Sequence, residues 1–395
     1  MKICKKNIIL FFALLILSGC NNSLIEKGEN IDIFIDELME QKSISYCDSI
    51  YIDSCRCVAL ETTDESLLGR VATLSLHKGE FYVFDSMIWR LHRFGSDGTY
   101  LGHYGRKGNG PGEYISLSGF YIDPYREEVA LFDPAARKVH RFTLAGDYIG
   151  SVKGKADDVF PFLGKCEMIG PDEIVCQVHP NMKNTYSCVV LRRKDYSIVR
   201  VLSEHCAKNP KTQTVLSNAS FSISSHHISC IEPFSDVVTV YSNDTVLEYI
   251  VHQALPEMPR KELIKRIKKA HYHGVWSSLL KEKNYSMGLS SIFESDRWAY
   301  IEFCYKKDLG SILLWDKSVS SGIVISGPSP SYFWDFRDIV ASDGNIFIKI
   351  LDGAALSSIP QEKLMQSPPN GWSDIARQYN PEDDNPVLVL YYMQD

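Results

Sequence analysis

Apolar and polar positions alternate in short runs along most of this chain, and the runs recur with a period of 48 residues. Phe84-Asp85 returns as Phe132-Asp133, Arg93-Phe94 as Arg141-Phe142, and Gly98 as Gly146. Between these anchors each copy has a strand-like run, a polar turn, a second run, a Gly-containing turn and a third run. The runs are rich in β-branched and aromatic residues, and Gly or Asp punctuates the turns, which predicts strands. One such unit cannot bury both faces alone, so copies must pack on one another around a ring or along a stack.

The same plan divides the chain into six units, near 69–105, 117–153, 162–204, 219–253, 290–324 and 336–395. A strand at 51–60 precedes the first unit, and an apolar strand at 386–392 ends the last. An open stack needs polar caps at its ends, whereas both ends here are apolar strands. A closed ring satisfies those edges, so the pattern predicts an all-β, six-bladed propeller closed by strand 51–60. Three segments break the strand rhythm. Residues 30–45 look amphipathic or irregular, Pro259 opens a short basic helix over 261–269 with Leu263, Ile264 and Ile267 on one stripe, and a helix is expected near 354–366.

The N-terminus has a different pattern. Lys2, Lys5 and Lys6 precede ten apolar residues, Ile8 to Leu17, and then Leu17-Ser18-Gly19-Cys20. The run is too short for a comfortable membrane span and has the layout of an export signal. The segment resembles the bacterial lipoprotein signal, which implies cleavage after residue 19 and diacylation of Cys20. Residues 20–50 then form a lipidated tether and N-terminal segment. Asn21, in place of Asp, implies transfer to the outer membrane.

Composition narrows the partners. Without the signal the chain keeps 39 basic against 49 acidic residues, an excess of negative charge that disfavours nucleic acid. Nine cysteines follow Cys20, an odd number that cannot all pair within the chain. Cys55 and Cys57, two apart in a strand, face the same way, but no second close pair completes a zinc site. Ordinary strand cysteines with one or two bridges are expected.

The stretch from Tyr82 to Gly98 resembles an NHL-type repeat. With Gly105 to Tyr114, Leu60 to Leu67 and Asn385 to Tyr391, it is similar to the six-bladed β-propeller lipoproteins of Bacteroides-type bacteria. That resemblance implies fold and cell address and leaves the chemistry open, since most members have no determined function.

Candidate chemistry sits in a few places. Gly105, Gly108, Gly110 and Gly112 surround Arg106, Lys107 and Glu113 in a loop ending at Tyr114. Glycines allow tight backbone approach, and cations beside exposed amides suit an anion. The loop lacks the Gly-Lys-Ser/Thr ending of a phosphate loop. Arg106, Lys107, Glu113 and Tyr114, with Trp89 in a predicted turn, are therefore candidate ligand-binding residues, and an inter-blade crossover is the structural alternative. Asp85 and Asp133 occupy matching positions and are candidate calcium ligands, unless each only accepts amides of its own turn. His271 and His273 form a His-x-His pair with zinc-ligand spacing if the segment is a strand. His92 and His140 repeat as well and are expected to be ordinary satisfied side chains. Six Trp, 21 Tyr and 18 Phe are more than blade cores strictly require, and rings at a pocket mouth suit sugar or peptide ligands. These features predict a lipid-anchored, noncatalytic envelope propeller that binds a glycan, a peptide or a protein partner. Two alternatives stay open: a calcium- or zinc-dependent hydrolase or lyase with its site in the central channel, and a structural subunit of an envelope complex.

Overall fold

A computed structural model describes residues 26–41, 43–44, 51–179, 181, 183–205, 221–224, 227–242, 245–305, 308–327, 336–357, 370–380 and 382–394. Six antiparallel sheets follow one another, each built from four strands in up-and-down order. From inside outward, blade 1 runs from Val71–His77 through Glu80–Asp85 and Arg90–Phe94 to Tyr100–Tyr104. Blade 2 starts at Gly119–Asp123, blade 3 at Leu163–Met168, blade 4 at Phe221–Ser224 and blade 5 at Leu289–Glu294. Blade 6 takes three strands from the C-terminal part of the chain, and its outermost strand is Ile52–Ala59, antiparallel to Val387–Met393.

The core is divided into wedges, which is what a ring of small sheets requires. Phe84, Leu91 and Tyr104 meet Phe120, Val129 and Phe142 between blades 1 and 2. Tyr121 and Phe132 meet Ile174 and Tyr196 between blades 2 and 3. Comparable apolar clusters fill the junctions of blades 3 with 4, 4 with 5, and 5 with 6. The sixth wedge joins Val58 and Leu60 of the closing strand to Leu74 and Phe81 of blade 1. A two-layer sandwich would have gathered these side chains into one slab.

The 48-residue period has a physical basis in the turns and in one ion pair. Trp89 and Arg137 are both left-handed, at φ 56° and 54°, and Gly98 and Gly146 at φ 90° and 104° close the next turn in each blade. Glu80 pairs with Arg93 at 2.7 Å, and Glu128 with Arg141 at 3.4 Å, across equivalent strands.

Three expectations change. Residues 30–45 are not an isolated amphipathic helix. Glu26–Lys27 and Ile31–Phe34 add parallel to the outer strand of blade 4, a short helix Ile35–Gln41 follows, and Ser43–Ile44 adds parallel to the outer strand of blade 5. Ile33 and Ile35 anchor this strap in the wedge between the two blades. The helix expected at 261–269 spans Arg260–Glu282. Its apolar stripe continues past the lysines through Val275 and Leu279, which pack on Phe234 and Met258. Cys55, Cys57, Cys166, Cys176, Cys188, Cys230 and Cys304 are all free thiols, so no bridge forms among the described cysteines.

Candidate functional site

Alternating strand direction places two kinds of connection on one face of the ring: the crossovers between blades, and the turns between second and third strands. On that face, Arg106–Lys107 pairs parallel with Glu113–Tyr114, so the glycine-rich crossover doubles back on itself. Glu113 holds it closed. One carboxylate oxygen accepts the Gly110 N–H at 2.8 Å, and the other accepts Arg106 Nε at 2.7 Å. These bonds, the Gly110 amide first, hold the Glu113 carboxyl below its ordinary value. A Cβ on Gly108 would stand 2.0 Å from Glu113 Oε2, so any side chain there would push the Glu113 carboxylate out of its place in the loop.

The folded loop presents Lys107 to Trp89, with Nζ 4.7 Å from the ring centroid. Beside this pair opens a cavity of about 430 Å³ lined by Asp64, Leu67, Ile88, Arg90, Lys107 and Tyr114. Leu67, Met87, Ile88, Trp89 and Ile115 are all exposed large apolar residues, Met87 at 65%. Leu67 and Ile88 line the cavity, and Met87, Trp89 and Ile115 are sequence neighbours of its lining residues; exposed apolar residues gathered beside charge suit an interaction site. Lys107 and Arg90 are the cations of the groove and Asp64 its acid.

The repeated aspartates shape this face. Asp85 accepts backbone N–H groups from Gly69 at 2.6 Å and Met87 at 2.7 Å, tying the crossover into blade 1 to the turn that carries Trp89. Asp133 accepts from Ile115 at 2.8 Å and Ala136 at 3.0 Å in the same way. Both are buried and turned into their own loops, which leaves neither free to join a shared cation. Among the described residues no three His, Cys, Asp or Glu side chains converge on a metal-sized site. Positions 271 and 273 lie within the helix Arg260–Glu282 rather than a strand, and helix positions two apart do not share a face. His92 is buried, and neither ring nitrogen has a hydrogen-bond partner among the described residues. Burial first, then the Arg90 charge, lowers its pKa to about 4, so it packs as a neutral ring against Phe94 and Tyr100. The expected satisfied histidine is an unsatisfied one.

Of the five candidate ligand residues, Trp89, Lys107 and Tyr114 meet at the groove, whereas Arg106 and Glu113 are spent on each other. Asp64, Leu67, Ile88 and Arg90 were not picked out in sequence. Ile88 and Arg90 flank Trp89, and a polar turn with exposed aliphatic residues was the available signal. Cys20 lies outside the described residues. The opposite mouth of the channel holds a second cavity, of about 170 Å³, whose polar lining includes Ser75, His77, Lys165, Glu167, Ser342 and Asp343. Lys165 and Glu167 pair there at 2.7 Å.

Six wedge-packed blades closed by an N-terminal strand, with a groove on one face, define an all-β six-bladed propeller with short helical insertions and a surface suited to binding. The chain belongs to the DUF4934 family, a domain of unknown function, whose model matches residues 29–392. Its fold is similar to a crystal structure from Bacteroides fragilis NCTC 9343, at TM-score 0.65 and 17% identity, covering 92% of this chain and 99% of that one. A DUF4221 family member from Bacteroides vulgatus aligns at TM-score 0.49 and 10% identity, over 87% of this chain and 97% of that one. No curated protein matches. No helix among the described residues is long and apolar enough to cross a membrane.

Proposed function

We propose that this protein is a lipid-anchored propeller of the bacterial envelope that captures an extended peptide segment of a protein partner in the Trp89–Lys107 groove. The observation that carries the reading is the union of an exposed apolar rim with two cations, Lys107 and Arg90, around one cavity. Aliphatic side chains of a partner would cover Leu67, Met87 and Ile88, and an acidic side chain would meet Lys107. A glycan is the second reading, supported by the Trp89 ring. It is less favoured because Lys107 stands over that ring and because Met87 and Ile115 offer a sugar little. The groove's task in this reading is capture, not chemistry.

Anchoring rests on the three lysines, the apolar run and Cys20 in sequence, with outer-membrane placement suggested by Asn21. The Bacteroides fragilis relative is itself named as exported. Radiolabelled palmitate should enter the wild type and not Cys20→Ala, and that variant should leave the membrane fraction.

For the groove, a displayed random-peptide library is selected against the intact propeller. Enriched acidic, apolar peptides should bind Trp89→Ala and Lys107→Glu at least about tenfold more weakly, with melting temperatures unchanged. Binding should also weaken with salt. Peptides that bind the variants equally well would sink the peptide reading, and glycan-array binding lost in Trp89→Ala would favour the second.

A further inference from the structure

The repeat shared by blades 1 and 2 holds one arginine differently in its two copies. In blade 1, Arg93 Nε and Nη2 donate to the two carboxylate oxygens of Glu80 at 2.7 and 2.8 Å, a closed two-point pair. The counterparts 48 residues on are Arg141 and Glu128. There Arg193, arriving from blade 3, donates its Nη2 to Glu128 Oε2 at 2.7 Å. Arg141 keeps a single contact with that same oxygen, from Nη1 at 3.4 Å. Its Nε is buried and has no hydrogen-bond partner among the described residues. One carboxylate thus serves two guanidiniums, and the displaced one has donors to spare.

Both arginines line a cavity. On the face opposite the Trp89 groove, a space of about 370 Å³ between blades 2 and 3 is bounded by Arg126, Arg141, Val152, Asp172, Arg193 and Lys194. Arg126 and Asp172 sit in the turns between the first and second strands of their blades, and Lys194 between the third and fourth strands of blade 3. Acids brace the arginines. The buried Asp123 accepts Arg193 Nε and, at 3.4 Å, Arg126 Nη1, and Asp172 accepts Arg126 Nη2 at 3.2 Å. These bonds fix the guanidinium planes and leave Arg193 Nη1 and Arg141 Nη2 without a bond to any described residue. Lys194 is exposed and has no ion pair among the described residues, and its neighbour Asp195 is taken by Lys155 at 2.8 Å. Four cations therefore stand against three carboxylates, Asp123, Glu128 and Asp172.

We infer that this cavity binds a phosphate or sulfate ester of a small molecule. A guanidinium fork matches an oxyanion in shape and charge. Spare donors on three side chains, Arg141, Arg193 and Lys194, suit the three outer oxygens of such an ester better than the two of a carboxylate. Val152 gives the wall an apolar stretch for the carbon skeleton, and the volume falls in the range of small-ligand sites. A bound oxyanion would also satisfy the surplus cation, which is costly where it is partly buried. This inference goes beyond the capture reading and rests on other residues, so neither outcome bears on the groove.

The test is calorimetric titration of the intact protein with phosphate and sulfate, each as the free ion and as the glucose 6-ester, at ionic strength held constant with sodium chloride. Glucose and glucuronate are the controls. At least one ester should bind, with glucuronate about tenfold weaker or worse and glucose silent. Binding of one ester and not the other would support the inference and name the oxyanion. Lys194→Ala and Arg141→Gln should each weaken the ester about tenfold, whereas Arg93→Gln, the same change in blade 1, should leave its affinity unchanged. Lys194 is exposed, so its variant reads the site even if Arg141→Gln lowers the melting temperature. No heat from any of the four oxyanions, unchanged affinity in Lys194→Ala, or equal affinity for glucuronate would overturn the inference and leave the arginines as a brace between blades.

Discussion

Blades 1 to 3 and blades 4 and 5 treat their outermost strands in opposite ways. Among the described residues, no further strand lies beside the outer strand of blades 1, 2 and 3. Each of these strands slips register against its neighbour, at Arg93/Phe94, Arg141/Phe142 and Val190/Leu191. In blades 4 and 5 the corresponding ladders run without a slip, and the strap 26–44 covers both edges. An unpaired, regular edge invites another chain to add to it, and a bulge bends such an edge out of reach. The molecule blunts three edges by distortion and two by occupation. Occupation lets the covered blades keep straight ladders, at the cost of depending on a segment far away in sequence.

The strap offers the largest test of that contrast. Ile35 is fully buried between blades 4 and 5, so Ile35→Ala should cost about 3 kcal/mol in chemical denaturation. Hydrogen exchange should rise first at Thr245–His252, while the outer strands of blades 1 and 2 stay unchanged. Uniform loss across all blades would show that the strap does not act locally.

The repeat-related glycines sharpen the comparison next. Gly98 and Gly146 share a left-handed turn, but a Cβ on Gly98 would stand 2.0 Å from the Ala59 carbonyl of the closing strand, and one on Gly146 would meet nothing within 4 Å. Gly146→Ala should cost about 1 kcal/mol, the backbone strain alone. Gly98→Ala should cost about 3 kcal/mol because it also wedges blade 1 from blade 6. Equal melting shifts for the two would mean that the closure contact contributes little.

A third test concerns the root of the helical insertion. Asp236 is buried, and its Oδ1 accepts from Ser286 Oγ and Gln253 Nε2, each at 2.7 Å. Burial raises its pKa from 3.8 to about 7. Between those values the folded state holds a proton that the unfolded state has lost, so stability falls as pH rises through the window. Asp236→Asn keeps the Oδ1 acceptor and never ionises. It should match the wild type near pH 4 and exceed it at pH 8, in thermal melts across that range. A parallel pH slope in both proteins would reject the assignment.

The ring was legible in sequence because its determinants are local: alternation, left-handed turns and the Phe-Asp and Arg-Phe anchors. The strap was not, because its strands are two to four residues long and gain stability from blades more than 200 residues away. The full length of Arg260–Glu282 was hidden because its lysines interrupt an apolar stripe that Phe234 and Met258, from outside the helix, help to complete. At the groove, Trp89 and Lys107 were visible as residue types, but their meeting depends on Glu113 folding the loop.

The strap also has a geometric consequence. Glu26 pairs at the rim of blade 4, only six positions after Cys20, a reach of about 20 Å at full extension. In a six-membered ring, blade 4 stands across the axis from blade 1. With the anchoring proposed at Cys20, the disc would stand on edge over the bilayer, blade 4 lowermost. Trp89 and Lys107 would then be held on the half of the disc farthest from the bilayer, with their face of the ring turned sideways along the membrane rather than toward it.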